Sequence, residues 1–203
     1  MHERYEYRPI RIERAAWPRV AQAVHGAGAE AVRDAGGTIF GLWRGEIGWW
    51  SDEGALLTAW PAGTEPVHEA TDGIAGVVDS SIERLEATVR PTAPDAPTED
   101  GVYAHRWFEV DPHDWDEFLE LSQRAWPDFE SAHDGTRVIG LFRSLDDPSR
   151  ALLLTRYASL AMWERSRPYN PHPAAALDNA RARFMRRAEI TRRTGVRLGR
   201  LLI

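Results

Sequence analysis

The stretch GLWRG, Gly41–Gly45, returns as GLFRS, Gly140–Ser144, 99 residues later in a chain of 203. The repetition extends outward in both directions. YEYRPIRIERAAW from Tyr5 can be laid on YAHRWFEVDPHDW from Tyr103, so that Tyr5 meets Tyr103, Arg8 meets Arg106 and Trp17 meets Trp115. LLTAW, Leu56–Trp60, meets LLTRY, Leu153–Tyr157, and RLEATVRP from Arg84 meets RAEITRRT from Arg187. Four matches in unchanged order, at offsets that drift by a few residues, are the mark of a duplicated unit with loop insertions.

Each copy reads as β-α-β-β-α-β, the split ferredoxin-like unit. The first strand alternates apolar residues, Phe108 and Val110 in copy two. A helix follows. In copy two Asp111 is placed to N-cap it and Pro112 suits its first turn. Its apolar stripe is Trp115, Phe118, Leu119, Ser122, Ala125, Trp126 and Phe129. The matching stripe of copy one is Trp17, Val20, Ala21, Val24 and Ala31, with Gly26 and Gly28 inside, so that helix should be the weaker. A hairpin of two strands comes next, GGTIFGLWR with ALLTAW and GTRVIGLFR with ALLLTRY. A second helix is expected near 69–83 in copy one. In copy two it is expected in two pieces, SLAMWERSR and PAAALDNARARFMRRA. A last strand closes each unit, LEATVRP and EITRRTGVRLGRL.

One such unit has helices on a single face of its sheet, and the other face needs cover. A second copy supplies it, and two four-stranded sheets can close as an eight-stranded barrel with helices outside. The expected fold is therefore α+β, two tandem ferredoxin-like repeats forming an intramolecular pseudo-dimeric α/β barrel. The expected division is repeat one at 1–95, a Pro-, Thr- and Asp-rich linker at 96–101 and repeat two at 102–203.

Composition removes several chemistries. A net charge of −6 argues against nucleic acid. The 25 basic residues are all Arg, which excludes a Schiff-base lysine, and the absence of Cys excludes disulfides, thiolate nucleophiles and Cys-ligated zinc. Asp111, His113, Asp114 and Asp116 read as a helix-cap cluster rather than a metal site, and no nucleotide-loop, nucleophile-elbow or zinc-helix motif is present. No apolar run is long enough to span a membrane and the first residues do not form a secretory leader, so a cytoplasmic location is expected. With the twofold already internal, a monomer or loose homodimer is expected.

The candidate site residues come from the matched strands. Arg8 and Arg106 occupy one place in the two first strands, and Arg44 and Arg143 end the two second strands. A mid-strand Arg in a closed barrel must be paired, here with Glu86 or Glu189, or must hold a carboxylate or enolate ligand in its guanidinium fork. Tyr7 and His105 each precede one of these Arg residues. Alternation puts Tyr103, His105 and Trp107 on one strand face, opposite Arg106. His105, Arg106 and Arg143 are the candidates for catalysis, with His105 as acid or base. Tyr7, Arg8, Trp43, Tyr103, Trp107, Tyr157 and Trp163 are the candidates for ligand binding. Trp49 and Trp50 are expected to close the barrel mouth or to form a subunit contact.

HRWFEVDPHDWDEFLEL, GTRVIGLFRS, LLLTRYASLAMWERSR and RARFMRRAEITRRT, together with RPTAP at Arg90–Pro94, resemble the NIPSNAP group of the dimeric α/β-barrel superfamily. The resemblance implies the fold, and a superfamily that includes quinone-forming and haem-degrading monooxygenases, haem peroxidases, lactone isomerases and stress-response proteins. It implies a pocket rather than one reaction. Haem-degrading members show a Trp-Ser-His run to which Trp163, Ser166 and His172 correspond loosely, with Pro168 and Pro171 interrupting the helix that would present the ligand. Three readings follow. The first is a cofactor-independent, oxygenase-like enzyme acting on a small aromatic or lipid-like molecule. The second is a non-catalytic binding or assembly protein whose barrel is filled by side chains. The third is a haem protein using His172. A ligand pocket requires about 300 Å³ or more.

Overall fold

The computed structural model describes residues 4–67, 72–167 and 176–203. Repeat one contributes β1 (Arg4–Ile12), α1 (Trp17–Ala23), α2 (Ala29–Asp34), β2 (Thr38–Ile47), β3 (Glu53–Trp60), β4 (Val77–Ser80) and β5 (Glu83–Ala87). Repeat two contributes β6 (Val102–Val110), α3 (Trp115–Ala132), β7 (Thr136–Ser144), β8 (Arg150–Tyr157), α4 (Leu160–Arg165), α5 (Ala176–Glu189) and β9 (Thr191–Leu202). All strand pairings are antiparallel, in the order β3-β2-β9-β6-β8-β7-β5-β1, and β3 pairs back to β1. The sheet is thus a closed barrel, with β4 continuing along the β5 side of β1 at Ile10–Ile12.

The last strand of each repeat closes the other. β9 pairs with its own β6 and, through Leu198–Leu202, with β2. β5 pairs with its own β1 and with β7 at Leu85–Ser144. Strand alternation then sorts the side chains. Tyr5, Tyr7, Tyr103, Leu152 and Leu154 point into the barrel, while Ile10, Ile12, Phe108, Val110 and Leu153 face the helices.

The repeated Gly-Leu-aromatic-Arg now has a physical reason. β2 and β7 each carry a register shift at the same place, Ile39/Gly41 and Val138/Gly140. A Cβ built on Gly41 would run into the ring of Trp43, and one built on Gly140 into the ring of Phe142. Both rings lie back over a backbone with no side chain and fill the barrel core.

The first helix of repeat one is broken as its glycines predict. A π-helical turn, Val24–Gly28, separates α1 from α2, and Gly26 leaves helical dihedrals at φ −89, ψ −110. In repeat two the Asp111 carboxylate accepts from the His113 backbone N–H, a single 3-10 turn follows, and α3 runs for 18 residues. The Ser159 hydroxyl accepts from the Met162 backbone N–H to start α4. The second helix expected near 69–83 in repeat one is corrected: residues 72–83 form turns, β4 and the start of β5. Gly73 and Gly76 both take positive φ there, and the Val77–Val78 β-branched pair suits a strand. Residues 68–71 lie outside the described set.

Gly41→Ala and Gly140→Ala are each expected to destabilise by about 1–3 kcal/mol, because the core ring has nowhere to move. Gly195→Ala is the control: it sits in β9 with nothing within 4 Å of its added Cβ and no positive φ. Its unfolding midpoint should stay within about 0.5 kcal/mol of the parent. Equal losses at all three positions in denaturant titrations would refute the ring-over-glycine account.

Candidate functional site

The barrel interior is packed. Trp43, Tyr103, Tyr5, Phe40 and Phe142 are fully buried in one cluster. Tyr5 meets Phe40 and Phe142 edge-on at 5.5 and 4.9 Å between centroids. His105 sits among these rings at 0% exposure, its Nδ1 3.1 Å from the Tyr7 hydroxyl. Trp107 packs edge-on against the Tyr7 ring at 5.4 Å between centroids. Burial, reinforced by the Arg197 charge, pushes the His105 pKa down to about 3, and burial raises that of Tyr7. Trp49 packs into the mouth beside His105, under the Arg197 guanidinium at 4.7 Å, while Trp50 is 76% exposed.

Open space lies on the other face of the sheet. A cleft of about 460 Å³, open on one side, lies between β6 and β8 below, α3 and α5 at the sides, and the end of α4 at the rim. Its floor is Ala104, Phe108, Leu153 and Thr155, and its walls include Trp126, Phe129 and Phe184. Arg106 and Tyr157 rise from the floor, and Arg187 enters from α5. Among the described lining residues seven are Arg and none is Asp or Glu.

The Arg187 guanidinium is stacked over Phe108 and Phe184 at 4.9 and 4.8 Å and donates to the Ser122 hydroxyl at 3.1 Å. Desolvation and the neighbouring Arg106 charge push its pKa down to about 9. Desolvation and the Arg167 charge lower that of Arg106, whose one side-chain hydrogen bond among the described residues goes to Thr194 Oγ1 at 3.5 Å. Burial raises the Tyr157 pKa, tempered by the Ser166 hydroxyl and Arg106, so the phenol stays a neutral donor.

The corresponding space in repeat one is filled by Trp17, Val20, Val24 and Trp60. Arg8, the counterpart of Arg106, is 3% exposed and ion-paired with Glu6 at 3.8 Å and Asp72 at 3.4 Å. The expected partners Glu86 and Glu189 are replaced: Glu86 is registered opposite Arg4 and Arg143, and Glu189 pairs with Arg186.

The residues named from the sequence therefore divide three ways. Arg106 and Tyr157 line the cavity, and Trp163 packs beside Tyr157, under the Arg167 guanidinium at 5.0 Å. Tyr7, Trp43, Tyr103, His105 and Trp107 belong to the barrel interior, with the sheet between them and the cavity. His105 and Arg106 cannot touch one ligand, because adjacent strand residues face opposite sides. Arg8 is held in repeat one, and Arg143 stacks on Trp115 at 4.5 Å and donates to the Pro148 carbonyl. Arg187 was not foreseen. Its signal is a charged residue on the apolar stripe shared with Ala180 and Phe184, facing the equally misplaced Ser122 of α3.

The haem reading places its axial ligand on an imidazole. His172 lies outside the described residues. The imidazole that the described residues do supply, His133, is 3% exposed, with Nδ1 bonded to the Phe129 carbonyl at 2.9 Å and its ring packed on Phe129.

No family model matches the chain, and no curated protein matches it. Solved structures do. A "putative monooxygenase" from Lactobacillus acidophilus NCFM aligns at TM-score 0.70 and 10% identity, covering 98% of this chain and 93% of that one. An anthrone oxidase-like protein aligns at TM-score 0.60 and 14% identity, covering 100% and 92%. A haem-binding protein from Thermus thermophilus aligns at TM-score 0.52 and 13% identity, covering 100% and 92%. The chain shares the dimeric α/β-barrel fold of these proteins, spanning nearly their whole length.

Unfolded His105 titrates near 6.5 and the folded residue only near 3. The residue is neutral to stability above pH 6.5; as pH falls below that, the unfolded chain gains a proton that the folded chain refuses. Stability should drop by about 1.4 kcal/mol per pH unit through that window from this group alone. His105→Gln is expected to flatten the acid limb of the stability–pH curve by that slope, read by denaturant unfolding between about pH 4 and pH 7. Parallel curves for parent and variant would show that His105 is not held neutral.

Proposed function

We propose that the protein binds a small aromatic or lipid-like molecule in the helix-side cavity of repeat two, as a NIPSNAP-like protein. The observation that carries this reading is the cavity itself: about 460 Å³, walled by aromatic rings, in the half whose helices stand off the sheet. The volume exceeds what a drug-sized ligand needs, while rings pack the barrel interior and the helix side of repeat one, and the larger hollow of about 800 Å³ along the linker, bordered by Phe40 and Tyr103, is mostly polar. That supports binding over the filled-barrel assembly reading.

The monooxygenase and anthrone oxidase-like descriptions of proteins with this fold support an oxygenase-like reaction on such a molecule. Arg106 and Tyr157 would orient its polar group, and Phe129 and Phe184 would pack its rings. In this reading His105 and Arg143 act through the scaffold. His105 ties β6 to β1 across the barrel, and Arg143 covers Trp115.

The test is native mass spectrometry of the purified protein against its denatured mass, with an absorption spectrum of the same sample and a titration with phenylnaphthylamine, an apolar fluorescent probe. A retained small-molecule mass, or stoichiometric probe binding that Ala188→Trp at the cavity edge abolishes, is the expected result. A haem mass with visible absorption would favour the haem reading. A bare polypeptide that takes up no probe would favour the assembly reading.

A further inference from the structure

Resting on that cavity reading, we infer that the ligand is an anion, a planar aromatic carrying a carboxylate or sulfonate-like group, and that Arg106 and Arg187 clamp its charge at the inner end of the cavity. Three observations carry this. First, neither guanidinium makes an ion pair among the described residues: Arg106 reaches Thr194 and Arg187 reaches Ser122, both neutral hydroxyls. Many other arginines are matched to carboxylates, as Arg84 to Asp146, Arg150 to Glu83 and Arg183 to Asp128, and those without one, such as Arg143 and Arg197, cover Trp rings nearer the surface. Second, the two cations repel each other and are part-desolvated, which costs stability unless an anion completes the site. Third, repeat one shows the completed form. The equivalent Arg8 has Glu6 and Asp72 beside it, and in repeat two the Glu6 position is Ala104, on the cavity floor. The exchange of a carboxylate for a methyl removes the internal counterion and opens space in one step.

The surroundings set the rest of the ligand. Phe108, Phe129 and Phe184 offer ring faces. The cavity holds no carboxylate and no accessible imidazole among its described residues, and Tyr157 is a protonated phenol. A group acidic enough to be already ionised in neutral water therefore fits better than one that must lose a proton on arrival. Net charge elsewhere in this acidic chain would repel such an anion, so the cationic cavity is where it can settle.

The test pairs two probes of one skeleton, anilinonaphthalene sulfonate and neutral phenylnaphthylamine, titrated by fluorescence into the full chain. The sulfonate is expected to bind at least tenfold more tightly, with an advantage that shrinks as salt is added. Arg106→Met and Arg187→Met should each remove most of that advantage and leave the affinity for the neutral probe within about twofold, which also certifies that the variants fold. Equal affinities for the two probes, or sulfonate binding that neither substitution weakens, would overturn the anion clamp while the cavity reading stands. Failure of both probes to bind would sink the cavity reading and the clamp with it.

Discussion

Everything in this molecule depends on the exchange of last strands between the repeats. β9 joins β6 to β2 and β5 joins β1 to β7, so every strand of the barrel has two neighbours. A lone four-stranded repeat would leave one face and two edges bare. Closure removes the edges and creates a dry interior that eight strands leave just wide enough for side chains. Large rings fill it, and few polar atoms are brought in. The Tyr7–His105 hydrogen bond pairs two of them, drawn from the first strands of both repeats, while Trp43 Nε1 and His105 Nε2 have no hydrogen-bond partner among the described residues.

With the interior given over to stability, the helix-side faces were free to diverge. Repeat one closes its face with a broken helix, two Trp rings and a buried Arg8 satisfied by carboxylates. Repeat two holds the 18-residue α3 and the long α5 apart from the sheet and leaves Arg106 and Arg187 without counterions among the described residues. One half contributes packing and the other stores unfavourable charge, a division that functional sites often show.

Likeness to solved structures at 10–14% identity fits this picture. What such likeness shows is the fold alone. The fold does not dictate the residues on the helix-side face, so it leaves the ligand open and the site must be read from its own chemistry.

The sequence by itself determined the duplication, the βαββαβ order of repeat two, the weak first helix of repeat one and the sorting of Tyr103, His105 and Trp107 away from Arg106. These follow from short-range rules: a period of two, a period of 3.6, glycine and proline punctuation. Tertiary structure alone decided which face of each strand met a neighbour and which met space. His105 reads as a catalytic imidazole until the barrel closes over it, because desolvation comes from residues up to 98 positions away. Repeat one lacks a helix over 72–83 because β4 finds a partner in β1, a long-range pairing invisible to local propensity. Arg187 joins the cavity wall only when α5 lays it against Ser122 and Phe108, and the absence of a carboxylate beside it among the described residues is a fact about the packing around it rather than about its neighbours in the chain.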